Sequence, residues 1–237
     1  MDREKLISYS FYYFGEYDKI IKAINENADV PLVNVPNAIT IFDSVYPKSL
    51  FNLKCPPMVL YYKGNLDLLK EDAIAIVGSR QPCEYALKAT ECLARANRDK
   101  VIISGLAKGI DASAHQNAFK TIGVLGCGID YIYPRCNYDL IKRLEKEGLI
   151  ISEYPGMSKP LGYHFPFRNR IIACLSSRTY VMQSMLASGT MTTINEALEL
   201  GKEVRVLPYD IFNIFGENNN RLIYEGAVPI ERSEIFI

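Results

Sequence analysis

From residue 73 to residue 208 the sequence alternates six short apolar runs with stretches of helical composition. The runs are AIAIVGS (73–79), KVIISG (100–105), TIGVLG (121–126), GLIISE (148–153), SRTYVMQS (177–184) and EVRVLP (203–208). Strands that are apolar on both faces are typical of a buried parallel sheet, and intervening helices of about 10 to 15 residues supply right-handed crossovers. The pattern predicts an α/β fold with a doubly wound, mostly parallel sheet.

The residues before this alternation predict two further parts. Apolar residues recur at helical spacing near the start, as at Tyr17, Ile20 and Ile24, so we expect a short helical segment over residues 1–40. After it, prolines interrupt any helix and VLYY (59–62) predicts a short strand. We assign residues 41–237 to one domain that includes this N-terminal extension of the sheet.

Charge and cysteine usage limit the class of protein. The 27 basic and 27 acidic residues cancel, so an anionic partner requires a local basic patch and a globally basic nucleic-acid-binding protein is excluded. The N-terminus does not resemble a signal peptide, and no run of about 18 apolar residues occurs, which predicts no contact with a membrane. The six cysteines have neither CxxC nor metal-ligand spacing, so we expect reduced core thiols, no metal site and a cytoplasmic protein.

Ligands of open α/β sheets bind beyond the carboxyl ends of the strands, and two loops there contain anion-binding residue types. In the first, Gly78, Ser79 and Arg80 combine backbone N–H groups with a guanidinium, although a structural turn with an exposed arginine has the same sequence. The second is SGLAKGIDASAH (104–115), which leads into a helix N-terminus. Asp111 there is as typical of a helix cap as of a ligand contact, and we expect His115 to be an interior residue.

Three further stretches extend this pattern. GVLGCGIDYIYPRCN (123–137) has glycines in the order GxxGxG and no acidic residue at ribose-binding distance, so it supports a dinucleotide site only weakly and adds Arg135 to a basic rim. HFPFRNRIIACLS (164–176) places two arginines beside phenylalanines, which suit phosphates and unpaired bases but also a surface charge run. SGTMTTINEALELGKEV (188–204) provides a second helix start that could bind an anion or be capped by threonines.

Neighbouring anion sites point to a polyphosphate, a nucleotide or a nucleic-acid backbone. The sequence contains no GxxxxGK[ST], GxSxG or HExxH motif. Isolated carboxylates such as Asp111, Asp130, Glu153 and Glu196 are usually caps or salt-bridge partners, so no catalytic residue is assigned.

Nine segments taken in order carry a family resemblance. They are YPKSL, VLYYKGN, AIVGSR, SGLAKGIDASAH, GVLGCGIDYIYP, IISEYP, FPFRNRIIACLS, SGTMTTINEAL and EGAVPI, between residues 46 and 230. In this series the chain resembles the DNA-processing protein A family, also called DprA or Smf. The resemblance implies a Rossmann-like, cytoplasmic protein that protects incoming single-stranded DNA and loads RecA recombinase onto it during natural transformation. It also implies a homodimer, no enzymatic activity and no cofactor.

The resemblance also implies which residues bind DNA. The family's pocket arginines correspond to Arg80, Arg135, Arg168 and Arg170, with Lys108 on the same rim. Together with the loops described above, the DNA-binding prediction comprises Gly78, Ser79, Arg80, Ser104, Gly105, Lys108, Gly109, Arg135, Phe165, Arg168, Asn169, Arg170, Ser188, Gly189 and Thr190.

The chain departs from the family pattern at one wall of this pocket, and two other functions stay open. Gln183 stands where the family has a glutamate, Tyr209 replaces a glycine, and FGENNN (215–220) lengthens a loop. The SGT turn and Glu196 faintly resemble the lysine-decarboxylase-like nucleotide phosphoribohydrolases, which suggests a nucleotide-binding enzyme or sensor, but the PGG of that family is absent. The third possibility is an interaction scaffold.

Overall fold

The computed structural model describes residues 2–186 and 188–236. The strands of these residues are β1 (Ala38–Thr40), β2 (Val59–Gly64), β3 (Ala73–Gly78), β4 (Val101–Ser104), β5 (Lys120–Leu125), β6 (Leu149–Ser152), β7 (Arg178–Gln183), β8 (Glu203–Val206) and β9 (Val228–Pro229). The helices are α1 (Arg3–Tyr12), α2 (Tyr17–Asn25), α3 (Glu84–Ala96), α4 (Ile110–Asn117), α5 (Tyr138–Glu147), α6 (His164–Leu175), α7 (Gly189–Glu199), α8 (Glu217–Tyr224) and α9 (Arg232–Ile235). The six predicted apolar runs are β3 to β8, and VLYY lies in β2, which confirms these assignments.

All of these strands join one sheet in the order β1-β2-β6-β5-β4-β3-β7-β8-β9. The neighbours from β6 to β9 are parallel, whereas β2 is antiparallel to both β6 and β1. This confirms the doubly wound, mostly parallel, Rossmann-like prediction. The chain adds β4, β5 and β6 on one side of β3 and then places β7 on the other side. The order therefore reverses between β3 and β7, where the carboxyl ends of such sheets leave a crevice.

Helices cover both faces of the central strands, because side chains along a buried strand alternate between two apolar layers. On one face, Ile76 of β3 belongs to a buried cluster with Leu93 of α3 and Ile110 of α4. On the other, its neighbour Val77 belongs to a cluster with Ile172 of α6 and Ile194 of α7. Helices α4 and α6 are thus held on opposite sides of the crevice.

The N-terminal helices cover the antiparallel edge of the sheet. Leu6 of α1 and Ile20 of α2 lie in one buried cluster with Val59 and Tyr61 of β2. This agrees with the helical segment expected within residues 1–40, although β1, at the end of that range, pairs with β2 and so belongs to the sheet. The division into two domains stays a prediction.

Two other expectations can be compared with the structure. All six cysteines are free. Cys127 and Cys174 are buried, which confirms core thiols there, whereas Cys55, Cys83 and Cys92 are half-buried. Cys136 is exposed, so the prediction is wrong there because this residue lies on a short surface 3-10 helix. In the described part of the chain, no helix combines the length and the apolar character needed to cross a membrane.

Candidate functional site

A cleft of about 710 Å³ opens where the strand order reverses. It is lined by the end of β3, by α6 and by the start of α7, and a smaller cavity of about 290 Å³ adjoins it beside the β4–α4 loop. Of the predicted residues, the larger cavity contains Gly78, Ser79, Arg80, Phe165, Arg168, Asn169, Ser188, Gly189 and Thr190, and the smaller one adds Gly105 and Lys108. Three loops that the sequence only suggested to be neighbours therefore meet at one site.

Arg80 and two aromatic rings form the wall shared by the two cavities. Arg80 is exposed, and its Cζ lies 5.7 Å from the centroid of the Phe165 ring. The Phe165 ring packs against Tyr133, with centroids 5.5 Å apart. A guanidinium over a ring face is held by the ring quadrupole but keeps its N–H groups available. Tyr133 was missed by the sequence analysis, and the Tyr-Pro turn that contains it was the available signal.

Arg168 forms a fixed positive charge in the floor of the cleft. Only 4% of this residue is exposed; its Nη1 donates to the Gly105 carbonyl at 2.8 Å and to the Val124 carbonyl, and its Nε donates to Asn169 Oδ1 at 3.1 Å. Burial lowers the pKa of Arg168 to about 10, so it remains charged at neutral pH. A Cβ on Gly105 would lie 2.5 Å from its Nη2, which explains the need for glycine there.

Asp111 faces Arg168 from the other side of the floor. It is buried, and burial raises its carboxyl pKa while the charge of Arg168 opposes that shift. Its Oδ2 accepts the Ala107 N–H at 3.3 Å, so the carboxylate orders the loop before α4. Asp111 is the second residue of α4, whose N-cap is Gly109 and has no side-chain capping bond, so the helix-cap interpretation is wrong. Asp111 does line the larger cavity, and a ligand contact stays a prediction.

Two predicted residues shape the site from behind and line neither cavity. Ser104 is buried and its Oγ donates to the Ile76 carbonyl at 2.7 Å. Gly109 has a φ of 77°, and a Cβ there would lie 2.4 Å from the Ser79 carbonyl oxygen. That oxygen accepts the first N–H of α4, from Ile110, at 3.1 Å, which joins the β3 loop to the helix.

His115 is buried within α4, as expected. Its Nδ1 lies 2.6 Å from Thr121 Oγ1, and burial lowers its pKa to about 3. A histidine with this pKa is neutral under ordinary conditions and is an interior residue of the fold.

Arg170 and Arg135 lie outside both cavities. Arg170 is 4% exposed and forms a bidentate pair with Glu153, both N–O distances being 2.6 Å. Its Nε donates to the Cys55 carbonyl at 2.9 Å, and its Cζ lies 3.7 Å from the Phe167 ring centroid. Arg135 is exposed on a short 3-10 helix. The structure thus brings neither arginine to the cleft with Arg80 and Arg168.

The amino end of α7 faces the cleft. Ser188 is its N-cap residue and makes no side-chain capping bond, and its buried Oγ has no hydrogen-bond partner among the described residues. Thr190 is the second residue of the helix, and Asn169 Nδ2 donates to the Gly189 carbonyl at 3.1 Å. The first N–H groups of a helix have no intrahelical acceptor and lie at its positive end, so this position suits an anion.

The departures from the family pattern are accommodated by local hydrogen bonds. Gln183 accepts the Cys83 N–H through its side chain and the Ser79 N–H through its backbone, both at 2.8 Å. A neutral amide therefore positions the β3 loop. The expected lengthened loop at residues 215–220 is wrong, because these residues end a 3-10 helix and begin α8. Asn219 Oδ1 of α8 accepts the Ser184 N–H at 2.9 Å, which joins the end of β7 to the helix.

The donor set of the site favours anion binding. Within residues 2–186 and 188–236, no three His, Cys, Asp or Glu side chains are grouped to hold a metal ion. Glu196 lines neither cavity. The described lining instead combines two arginines, one lysine, two aromatic rings and a helix N-terminus with a single carboxylate, that of Asp111.

Comparisons with known proteins agree with the sequence resemblance. The family model described as DNA recombination-mediator protein A matches residues 37–237. DNA processing protein DprA of Streptococcus pneumoniae is 40% identical over 195 residues, which cover 80% of this chain and 69% of that protein. The Bacillus subtilis protein of the same name is 39% identical over 205 residues, covering 84% and 69%. Protein Smf of Escherichia coli is 39% identical over 196 residues, covering 80% and 52%.

Solved structures give the same result. The X-ray structure of DprA from S. pneumoniae matches with a TM-score of 0.78 at 36% identity, covering 90% of this chain and 77% of that chain. DNA processing protein A from Helicobacter pylori, described as having a unique single-stranded DNA binding mode, matches with a TM-score of 0.75 at 36% identity, covering 81% and 90%. The predicted resemblance is confirmed, and the chain belongs to the DNA recombination-mediator protein A family, whose members are also named DprA and Smf.

Proposed function

We propose that this protein binds single-stranded DNA in the cleft between the carboxyl ends of β3 and β7, as a DNA-processing protein. The main observation in support is that Arg80 is exposed over the Phe165 ring and lines the same cleft as the amino end of α7. A guanidinium and free helix N–H groups suit phosphates, and aromatic rings suit unpaired bases. The description of the H. pylori relative supports the same ligand.

The physical character of the cleft favours single strands over duplexes. A ring such as that of Phe165 or Tyr133 can stack on a base only if the base is not already paired and stacked within a nucleic-acid duplex. The remaining contacts are directed at the backbone, so we expect slight sequence preference. The overall neutral charge of the chain means that these local cations supply the attraction.

We further propose that the protein is a cytoplasmic homodimer, which protects the bound strand and passes it to RecA recombinase during natural transformation. This proposal rests on family membership. We also propose that the protein is not an enzyme. The placement of Glu196 outside both cavities supports this and counts against a nucleotide phosphoribohydrolase.

Fluorescence anisotropy with a labelled oligo-dT strand and a matching duplex, at about 50 and 200 mM salt, tests the binding. Each phosphate neutralised on a single strand contributes about −0.7 to the slope of log affinity against log salt. Three contacts give a slope of about −2, or roughly 16-fold weaker binding across that fourfold change. Equal affinity for the duplex, or binding that salt does not weaken, would contradict the proposal.

A separate assay tests delivery to RecA. Single-stranded DNA is first covered with single-strand-binding protein, and ATP hydrolysis by RecA is then followed with and without this chain. We expect the chain to shorten the lag before hydrolysis. An unchanged lag, in the presence of confirmed DNA binding, would contradict delivery while leaving the binding proposal in place.

A further inference from the structure

A second basic and aromatic cluster lies at the amino ends of the central strands, opposite the carboxyl ends that form the cleft. We call it the amino-edge cluster; it consists of Arg95, Arg98, Gln116, Asn117, Ala118 and Phe119, around an open concavity of about 500 Å³. Arg98 precedes β4 and Phe119 precedes β5, which are adjacent parallel strands. Their amino ends therefore bring together two loops that are distant in sequence.

The Arg98 guanidinium is ordered by a neighbouring ring, and its N–H groups are accessible to a ligand. Its Cζ lies 4.1 Å from the centroid of the Phe119 ring, and both residues are exposed, Phe119 by 56%. Among the described residues, Arg98 takes part in no salt bridge and no side-chain hydrogen bond, whereas Arg95 is bound to Asn117 Oδ1 at 3.1 Å and to Glu91 at 2.9 Å. Stacking orders the Arg98 guanidinium and leaves its N–H groups free for an acceptor.

The lining of the concavity has the chemistry of a nucleic-acid contact. It combines two guanidinium groups, two carboxamides and one exposed ring, and contains no carboxylate. Arg143, close by, donates to the backbone carbonyls of His115 and Gln116 and adds a further positive charge. Arginine beside an accessible ring is the combination that binds the phosphates and bases of single strands.

Helix α4 connects this cluster to the cleft. The helix begins at Ile110, directly after the loop that lines the smaller cavity, and ends at Asn117 in the cluster. Its eight residues span about 12 Å at a rise of about 1.5 Å each. That is about four nucleotides at the roughly 3.4 Å spacing of one strand in duplex DNA, and fewer in an extended single strand.

We infer that Arg98 and Phe119 form a second contact for the same single strand, reached when the strand extends from the cleft along α4. This inference rests on the proposed function, since it extends the path of a strand bound in the cleft. Arg98 binds a phosphate of the strand, and Phe119 positions Arg98 and offers apolar surface to a base.

The test compares two lengths of oligo-dT, about 3 and about 20 nucleotides, with the full chain carrying Arg98→Ala or Phe119→Ala. The matched control is Arg232→Ala. Arg232 is also exposed, and its Cζ lies over the Phe236 ring, 5.3 Å from the ring centroid. For both cluster variants we expect three- to tenfold weaker binding of the long strand and unchanged binding of the short one. In Arg98→Ala the salt slope for the long strand should also fall by about 0.7.

The outcomes separate this inference from the function on which it rests. If the wild-type protein binds both lengths and Arg98→Ala behaves like Arg232→Ala, the second contact is overturned and the cleft is retained. Equal weakening of both lengths also overturns a contact reached only by the longer strand. If the wild-type protein binds neither length, both proposals fail.

Discussion

The cations exposed on the rim of the cleft have N–H groups available for a ligand, whereas the N–H groups of the cations buried on α6 are used in hydrogen bonds within the protein. Arg80 on the rim is exposed and stacked over Phe165. Arg168 and Arg170 on α6 are each 4% exposed and donate to backbone carbonyls or to Glu153. Residues of equal charge therefore have different uses: the rim can bind a ligand, whereas the buried pair mainly organises the protein.

The two arginines of α6 also differ from each other. Residues two apart on a helix point about 200° apart around its axis. Arg168 therefore reaches the carbonyls at the ends of β4 and β5 and lines the cleft, while Arg170 contacts Glu153 and Cys55 outside it. We expect substitutions to separate stability from DNA binding along this series.

The largest effect on stability is expected for Arg170→Ala. Removal of one partner of a buried ion pair leaves the Glu153 carboxylate without compensation, which costs about 3–5 kcal/mol of the free energy of unfolding. Urea denaturation measures this loss, and oligo-dT affinity per folded molecule should stay near that of the wild type. A stable variant with weakened DNA binding would place Arg170 in the DNA interface and contradict its assignment to a structural role.

Arg168→Ala should lower both quantities, because this side chain supports the floor and faces the cleft. The carbonyls of Gly105 and Val124 lose their donor, at about 1–3 kcal/mol for each buried group left unpaired, and the cleft loses a positive charge. Urea denaturation and anisotropy on the same sample report the two effects. Arg168→Lys is the matched variant, since it keeps the charge without the planar fork. Full stability in Arg168→Ala would contradict the structural role.

Arg80→Ala should weaken binding without affecting the fold. A charge-assisted hydrogen bond is worth about 1.5–3 kcal/mol, so affinity for oligo-dT should fall about 10- to 100-fold, with the salt slope reduced by about 0.7. The midpoint of urea denaturation should change little, as for most exposed residues away from special features. Unchanged affinity would remove Arg80 from the site.

The smallest effects on DNA affinity are expected for Lys108 and Arg135, two exposed cations that the sequence analysis placed on the rim of the site. Lys108 lines the smaller cavity, so Lys108→Ala should weaken oligo-dT binding by a few-fold, consistent with one exposed charge of about 1 kcal/mol or less. Arg135 lies outside both cavities, and Arg135→Ala should leave affinity unchanged. Anisotropy at low salt resolves the pair, and the reverse order would show that the strand follows a different path.

The sequence was sufficient for strands β2 to β8 and for the loops of the cleft, for a physical reason. Runs such as AIAIVGS are short, apolar on both faces and end in glycine or serine, which is typical of a buried parallel strand, and the carboxyl ends of parallel strands lie side by side. It was insufficient for side chains whose partners are distant in sequence. Glu153 and Cys55 bury Arg170, and Ile76 binds Ser104, so neither arrangement is visible in a local motif. Tyr133 was missed because its role depends on Phe165, which lies on α6.

Binding in the cleft is tested by mapping where a short strand contacts the protein. An oligo-dT of about six nucleotides that carries one 5-iodouracil is bound to the protein and irradiated, and the adducts are located by mass spectrometry of peptides. We expect adducts on the peptides that contain Tyr133 and Phe165, at the wall shared by the two cavities. Adducts confined to other exposed aromatic residues, such as Phe212 and Tyr224, would contradict it.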